Sequence, residues 1–294
     1  MMSKLETNVR NTWGEKGNSW LQKLPAIIDD LAKLWNLSDI RPVTNLSYNY
    51  VALATQGKDK PVALKFSCDE QLIQDEYKAL QHFSGLGSIK VLEINERHHA
   101  MLLQQAIPGD LLKNNHSINF DETIISYAEV VKNIASVNTA NNDFTHVSYW
   151  CKAVDRIQDS RVDEHYIRKA QELREYLLGS AEVEYVCHGD LHLENIVKHG
   201  DCWLSIDPKG TVGEMAFEAA AFDLIDSCEW EQHDLIQEKL KTRINRLAIA
   251  LKVDEKRLRK WFFLRAVISA QWFIEDGGNP DVTLSLVKYL YLLV

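Results

Sequence analysis

The sequence has little cysteine and no long apolar run, and each shortage excludes a class of protein. Its five cysteines are irregularly spaced and form no C-x-x-C pair, so neither a zinc ribbon nor a disulfide framework is predicted. The most apolar stretch, from Trp261 to Ile274, is interrupted by Arg265 and Gln271, which argues against a transmembrane helix. The first ten residues lack the apolar core of a signal peptide. We therefore expect a cytoplasmic protein with no membrane partner.

Basic residues are outnumbered and unclustered, which excludes another class of partner. Lysine and arginine total 33 against 42 acidic residues, for a net charge of −9, and no run of basic residues occurs. Binding to a phosphate backbone favours the opposite balance, so no nucleic acid partner is expected. The remaining composition, 46% hydrophobic and 26% charged over 294 residues, is typical of a globular chain of about two domains.

The first part of the chain combines strand and helix patterns. Strand compositions, arranged as two hairpins across turn-rich segments, occur at 46–54, 62–66, 90–94 and 99–103. Apolar residues at helical spacing predict helices at 24–35 and 69–83. The tripeptide Ile107-Pro108-Gly109 ends this part and is the candidate linker.

Helical patterns dominate the rest of the chain. They predict helices at 121–138, 162–178, 214–228, 231–250, 255–275 and 279–292. A strand-rich island at 183–207 interrupts them, and its Gly200-Asp201 pair is typical of a tight hairpin turn. The sequence therefore predicts an α+β protein whose strands lie mostly in the first part.

The island contains three polar residues with the spacing of a kinase catalytic loop. Asn195 follows Asp190 by five residues, and Asp207 follows Asn195 by twelve. A hairpin would place Asn195 at the start of one strand and Asp207 at the end of the other. Carboxylate and amide oxygens are hard ligands that suit Mg²⁺. In kinases the aspartate accepts or orients the proton of the substrate hydroxyl, and the asparagine binds Mg²⁺. This pattern predicts a phosphotransferase site that uses a Mg²⁺-bound nucleotide.

Two less specific interpretations compete with this one. Any single aspartate in a turn is usually a cap. The histidine pair His188 and His192 has the i, i+4 spacing of a zinc site, but Gly189 and the strand-like flanks disfavour the helix that such a pair needs.

A predicted ion pair in the first part supports the kinase interpretation. Lys65 lies near the end of an otherwise apolar strand, and Glu76 lies on the apolar stripe of the next helix. A carboxylate on a buried stripe needs a partner, and Lys65 is the nearest candidate. No G-x-x-x-x-G-K-[ST] motif occurs, so a P-loop fold is excluded. No G-x-G-x-x-G precedes Lys65 either, so the segment from Leu46 to Tyr50, which includes Ser47, is the predicted phosphate-covering turn.

The stretches from His188 to Val197 and from Trp203 to Glu214 resemble the aminoglycoside phosphotransferase superfamily. Within it they are most similar to the aminoglycoside/hydroxyurea antibiotic resistance kinases, which include streptomycin 6-phosphotransferases. The resemblance implies a two-lobed protein-kinase-like fold, with a small antiparallel β-sheet lobe at 1–105 and a larger, mostly helical lobe at 106–294.

The resemblance also implies ATP and Mg²⁺ as cofactors, with Asp190 as the catalytic base and Asn195 and Asp207 as metal ligands. The implied nucleotide-binding residues are Lys65, Glu76, Ser47 and the backbone groups of Gln104 and Ala106. The acceptor would be a small molecule that carries a hydroxyl group and is cationic or polyhydroxylated.

Carboxylates that follow the island are the candidates for acceptor binding. Glu214, Glu218 and Asp226 all fall within the predicted helix 214–228, where Glu218 and Asp226, eight residues apart, would share a face. Such a face would hold an amino or guanidino sugar through charge-assisted hydrogen bonds. An ordinary solvated helix face is the competing interpretation.

Two other functions remain open on the same fold. One is a kinase of another small metabolite, such as choline, homoserine or a thiosugar. The other is a nucleotide-binding pseudokinase, which is disfavoured because Lys65, Asp190, Asn195 and Asp207 are all present.

Overall fold

The computed structural model describes residues 4–116, 118–137 and 143–294. The chain divides into two compact units, Met1–Gly109 and Asp110–Val294. Within the described residues, no helix combines the length and apolar character that crossing a membrane requires.

The first unit is built on a five-stranded antiparallel sheet with two helices. Its elements are α1 (Lys4–Leu34), β1 (Leu37–Pro42), β2 (Tyr50–Gln56), β3 (Lys60–Phe66), α2 (Glu70–Phe83), β4 (Val91–Asn95) and β5 (Ala100–Gln104). The strand order is β1-β2-β3-β5-β4, and every neighbouring pair is antiparallel. The two predicted hairpins and both predicted helices are confirmed, although β2 begins at Tyr50 and not at 46.

Alternation along β3 separates the core from a polar position. Leu64 and Phe66 are fully buried and belong to the cluster that α1 covers, in which the Trp20 ring meets the Phe66 ring at 5.8 Å. Lys65, between them in sequence, points to the opposite face of the sheet because successive side chains alternate. This register is what allows a charged residue to sit in an apolar strand.

Two parts of this unit were not predicted, namely the first part of α1, before residue 24, and strand β1. Helix α1 begins at Lys4, and its backbone breaks at Gly14 with φ 50° and ψ −123°. Beyond the break Gly17 lies against Val9, where a Cβ atom would come 2.4 Å from the Val9 carbonyl oxygen. None of the residues of strand β1 is buried, and its sequence carries no apolar alternation.

The second unit is mostly helical and carries two three-stranded sheets. Its helices are α3 (Phe120–Ala135), α4 (Val147–Cys151), α5 (Glu164–Gly179), α6 (Met215–Ala219), α7 (His233–Leu251), α8 (Glu255–Glu275) and α9 (Asp281–Tyr291). Its strands are β6 (Pro108–Leu111), β7 (Thr145–His146), β8 (Tyr185–Cys187), β9 (Ile196–His199), β10 (Cys202–Ser205) and β11 (Thr211–Gly213). The sheet orders are β10-β9-β6 and β7-β11-β8.

Helix α8 is the centre of this unit and packs against α5, α6, α7 and α9. Ten of its residues are buried, among them Trp261 and Phe263. The predicted helices that correspond to α3, α5, α7, α8 and α9 are confirmed. The predicted linker is not a loop, because Pro108 and Gly109 begin strand β6, and the boundary between the units falls within that strand.

The predicted helix 214–228 is wrong. Helix α6 ends at Ala219, and a separate 3₁₀ turn follows at Ser227–Glu229. The helix does not continue because side chains form hydrogen bonds with the backbone in the segment that follows α6. The Asp223 carbonyl accepts a hydrogen bond from His116 Nε2 at 2.8 Å, and the Asp226 side chain caps the 3₁₀ turn by accepting from the Cys228 N–H. Glu218 and Asp226 therefore do not share a helix face.

Candidate functional site

The site begins in the loop that follows β8, where His188 ties two segments together. Its imidazole is fully buried. Nε2 lies 2.7 Å from the Ile206 carbonyl oxygen, and Nδ1 accepts from the Asp190 N–H at 3.2 Å. These partners require the neutral tautomer that carries its proton on Nε2. Burial lowers the pKa of His188 to about 4, so the ring stays neutral near pH 7. His188 is a structural brace and not a metal ligand.

Gly189 holds the conformation that presents the next residue. Its φ is +87°, and a Cβ atom there would come 2.8 Å from the Trp150 ring, so only glycine fits. The backbone N–H and the backbone carbonyl of Gly189 both form hydrogen bonds. Its N–H donates to the Glu218 carboxylate at 3.2 and 3.3 Å, and its carbonyl accepts from Arg265 Nη2 at 2.7 Å.

Glu218 is fully buried, and burial raises the pKa of its carboxyl to about 7 despite the opposing effect of Arg265. A carboxylate committed to the Gly189 N–H presents no surface to an acceptor. The role supported by the geometry is therefore to hold the loop, in place of the acceptor binding that the sequence indicated.

Asp190 projects from this fixed loop with a side chain that is 40% exposed. Its carboxylate lies 3.8 Å from Arg265 Nη2 and 4.0 Å from His192 Nε2. Burial acts to raise the pKa of Asp190, but the charges of His192 and Arg265 outweigh it, so the pKa lies below its ordinary value. Asp190 is consequently ionised at neutral pH and able to accept a proton or a hydrogen bond.

The hairpin β9–β10 brings Asn195 and Asp207 to one end of the island. Asn195 precedes β9, and its carbonyl accepts from the Ile206 N–H at 2.9 Å, which places Asp207 one residue beyond that contact. The Asn195 side chain donates through Nδ2 to the Asp190 carbonyl oxygen at 2.8 Å. Asp207 has a φ of +59°. The three residues of the predicted pattern are thus neighbours in the structure.

The donor chemistry at this end fits Mg²⁺. Since the Asn195 amide nitrogen is turned toward Asp190, its oxygen is the atom left for a cation, and the Asp207 carboxylate supplies the negative charge. Mg²⁺ commonly uses one or two protein oxygens together with water and substrate phosphates. No group of three or more His, Cys, Asp or Glu side chains suited to holding a metal occurs among the described residues.

In the first unit, β3 and α2 bring Lys65 and Glu76 into a buried ion pair. Lys65 Nζ lies 2.6 Å from Glu76 Oε2, and the two side chains are 2% and 6% exposed. A buried pair of this kind is rarely justified by stability alone, because desolvation offsets much of the attraction. Its contribution to nucleotide binding stays a prediction.

The other predicted nucleotide-binding residues lie at the ends of strands in the first unit. Ser47 lies in the bend between β1 and β2, next to Tyr48, whose ring meets the Trp13 ring at 6.1 Å. Gln104 ends β5, and its N–H donates to the Lys90 carbonyl at 2.8 Å, so that donor is not available to a nucleotide. Ala106 follows in the stretch between β5 and β6.

The remaining predicted acceptor residues are engaged by neighbouring side chains. Glu214 is buried and accepts from Arg257 Nε at 2.7 and 2.8 Å and from the Trp261 indole. Asp226 caps its 3₁₀ turn and lies 3.8 Å from Lys113 Nζ. Neither residue lines the main cavity of the second unit.

That cavity has a volume of about 500 Å³ and includes Asp190 in its wall. Its other polar residues include Arg265, Asp223 and Asp276, and its aromatic residues are Phe222, Trp230, Phe262, Trp272 and Phe273. Asp223 lies between Glu218 and Asp226 in the sequence. Arg265 and Trp272 lie on α8, and Asp276 caps its end. Their spacings of seven and four residues are the only sequence signal, and that signal does not distinguish a cavity from a core.

Comparison with known proteins identifies the family. The aminoglycoside/hydroxyurea antibiotic resistance kinases match residues 35–277, most of the chain. The chain belongs to this family. It is therefore a phosphotransferase that acts on a hydroxyl group, as the sequence motifs predicted.

Relatives of this kinase include streptomycin kinases of two kinds. A streptomycin 6-kinase of Streptomyces griseus is 24% identical over 275 residues, which cover 90% of this chain and 87% of that protein. A streptomycin 3''-kinase of Klebsiella pneumoniae is 26% identical over 253 residues, covering 83% and 91%.

Solved structures confirm the protein-kinase-like fold of this family member. The aminoglycoside phosphotransferase APH(4)-Ia has a TM-score of 0.65 at 16% identity, with 92% of this chain and 98% of that chain covered. The choline kinase LicA from Streptococcus pneumoniae has a TM-score of 0.65 at 15% identity, with 92% and 99% covered.

Proposed function

We propose that the protein transfers the γ-phosphoryl group of ATP to a hydroxyl group of a cationic or polyhydroxylated acceptor of the aminoglycoside type. The observation that carries this proposal is the position of Asp190. Its ionised carboxylate lies in the wall of a cavity of about 500 Å³, which is large enough for a multi-ring small molecule.

Each residue of the island has a distinct part in this reaction. Asp190 orients the acceptor hydroxyl and takes its proton as the hydroxyl oxygen bonds to the γ-phosphorus and the bond from that phosphorus to ADP breaks. Asn195 and Asp207 hold Mg²⁺, which when bound neutralises charge on the phosphates. Lys65, kept in place by Glu76, contacts the phosphates of the nucleotide. Catalysis of this kind depends mostly on positioning and electrostatics.

The relatives support the acceptor class. Two kinds of streptomycin kinase, named for different positions on their substrate, align with most of this chain, and a hydroxyurea phosphotransferase of Kitasatospora aureofaciens aligns at 22% identity. Aminoglycoside phosphotransferase APH(4)-Ia, which shares the fold, has been solved with ADP and hygromycin B. Small amino alcohols are the alternative acceptors on this fold.

A cytoplasmic location accompanies this proposal. All five cysteines are unpaired, and three of them are buried, which favours a reducing compartment.

A phosphotransfer screen tests the proposal. The protein is incubated with ATP and Mg²⁺ and, in turn, with streptomycin, other aminoglycosides, hydroxyurea, choline and homoserine, and the phosphorylated product is identified by mass spectrometry. We expect an aminoglycoside to give the highest kcat/KM. Turnover confined to choline or homoserine would contradict the acceptor class. ADP release without a phosphorylated product would contradict the proposed reaction. The absence of any ADP release would contradict it as well.

A further inference from the structure

The cavity beside Asp190 extends along helix α8. It is lined by Arg265, Ser269 and Trp272 of α8 and by Asp276, the C-cap of that helix. These residues are spaced by three or four positions and therefore lie on one face of the helix. From Arg265 to Asp276 the helix rises by about 16 Å. The reacting end, marked by Asp190 and Arg265, is thus separated from Asp276 by more than the width of one sugar ring.

The acidic residues of the cavity differ in how well their charge is compensated. Asp190 lies 3.8 Å from Arg265 Nη2. Asp223 accepts from the Leu193 N–H at 3.0 Å and lies 3.9 Å from Lys113 Nζ. For Asp276, in contrast, no lysine or arginine of the described residues lies within ion-pair distance of its carboxylate, although the neighbouring Glu275 is paired with Arg156.

The end of α8 strengthens this negative charge. Asp276 is the C-cap of the helix, and the last turn contains no basic residue. The carbonyl end of a helix carries a partial negative charge that favours a cation nearby. The helix dipole and the Asp276 carboxylate therefore both favour positive charge near this end of α8.

Apolar surface flanks this point at the mouth of the cavity. Phe273 and Val282 both line the cavity, and they remain 49% and 59% exposed. An aromatic ring beside a carboxylate suits an amine or guanidinium group. The positive charge of such a group pairs with the carboxylate, and its weakly hydrated side packs on the ring.

We propose that Asp276 and Phe273 bind an amine or guanidinium group of the acceptor, at the opposite end of the cavity from the hydroxyl group that Asp190 activates. This inference rests on the proposed function. It requires an elongated acceptor in which the reacting hydroxyl and a cation lie on the order of 15 Å apart. Compact amino alcohols such as choline cannot reach both ends. Arg265 favours the opposite polarity at the reacting end, so the charges also set the direction in which the acceptor enters.

Streptomycin is the probe for the test, and its dissociation constant is measured by calorimetry at about 50 mM salt, where screening is weak. The variants are Asp276→Asn and Asp276→Lys. The matched control is Asp201→Asn, the same chemical change at an exposed turn of the β9–β10 hairpin. Because the position is exposed, we expect Asp276→Asn to weaken binding about fivefold and Asp276→Lys to weaken it further. The control should bind as the wild type does, and the KM for ATP should not change in any variant.

Equal dissociation constants for the wild type and both Asp276 variants would overturn the inference, as would a wild type that binds no streptomycin. These outcomes are separable from a failure of the proposed function. A wild type that phosphorylates another acceptor, with no effect of Asp276, removes only the inference. Binding that depends on Asp276, without turnover of any acceptor, removes only the function.

Discussion

At the residue scale, the conformation of Gly189 determines where the carboxylate of Asp190 points. Its positive φ turns the chain just before Asp190. Glu218 accepts a hydrogen bond from the Gly189 N–H, and Arg265 donates one to the Gly189 carbonyl. Preorganisation of this kind spares the enzyme the cost of ordering the loop when the acceptor arrives. Residues distant in sequence thereby fix the geometry of the aspartate that we propose as the catalytic base.

The pH dependence of stability tests the burial of Glu218. Its folded pKa of about 7 lies above the ordinary value of 4.5, so its contribution to stability is present below pH 4.5 and is lost as pH rises through 7. The loss is on the order of 3 kcal/mol at most. Glu218→Gln keeps an oxygen for the Gly189 N–H but does not titrate. As pH rises from 4.5 to 7, we therefore expect the free energy of unfolding of Glu218→Gln to increase relative to that of the wild type.

Urea denaturation of both proteins across this pH range gives the comparison. A difference between wild type and Glu218→Gln that stays constant with pH would show that Glu218 is not buried as an ionisable group.

At the scale of elements, the Lys65–Glu76 pair joins β3 to α2, and its structural and functional parts are separable. Lys65→Met leaves a carboxylate buried without its cation, which is expected to cost about 3–5 kcal/mol of stability. The double variant Lys65→Met with Glu76→Leu removes both charges and should recover most of that loss. Both variants should raise the KM for ATP strongly, because neither retains the phosphate contact.

Denaturation and steady-state kinetics on the same preparations distinguish these effects. If the double variant recovered nucleotide KM together with stability, the pair would have only a structural role.

Elements whose signals are local could be predicted from the sequence. The strands around Lys65, the long helices of the second unit and the catalytic island with its hairpin all carry their own periodicity or turn chemistry. Helix α6 could not be bounded in this way, because the chain beyond it is held by His116 and Asp223, which are far apart in sequence. The cavity beside Asp190 could not be predicted for the same reason. Asp276 and Trp272 come to line the same cavity as Asp190 only through the packing of α8.

At the scale of the whole molecule, the net charge of −9 is expected to act on the acceptor before it binds. A negative protein attracts a cation over distances of about 10 Å at about 0.1 M salt. We therefore expect kcat/KM for streptomycin to fall as salt concentration rises, whereas kcat changes little. A neutral hydroxyl acceptor assayed in parallel serves as the control. The same salt dependence for both acceptors would indicate an effect on the nucleotide or on folding.

The most direct test of the account is the rate of phosphoryl transfer from ATP to streptomycin by wild type, Asp190→Asn and Asp207→Asn. Asp190→Asn keeps the shape of the side chain but cannot accept the proton, so kcat should fall by about 10²–10⁴ while the affinity for Mg²⁺-ATP is retained. Asp207→Asn removes a metal-ligand charge and should weaken Mg²⁺ and nucleotide together. A near-normal kcat for Asp190→Asn would contradict the account, because the catalytic base would then lie elsewhere.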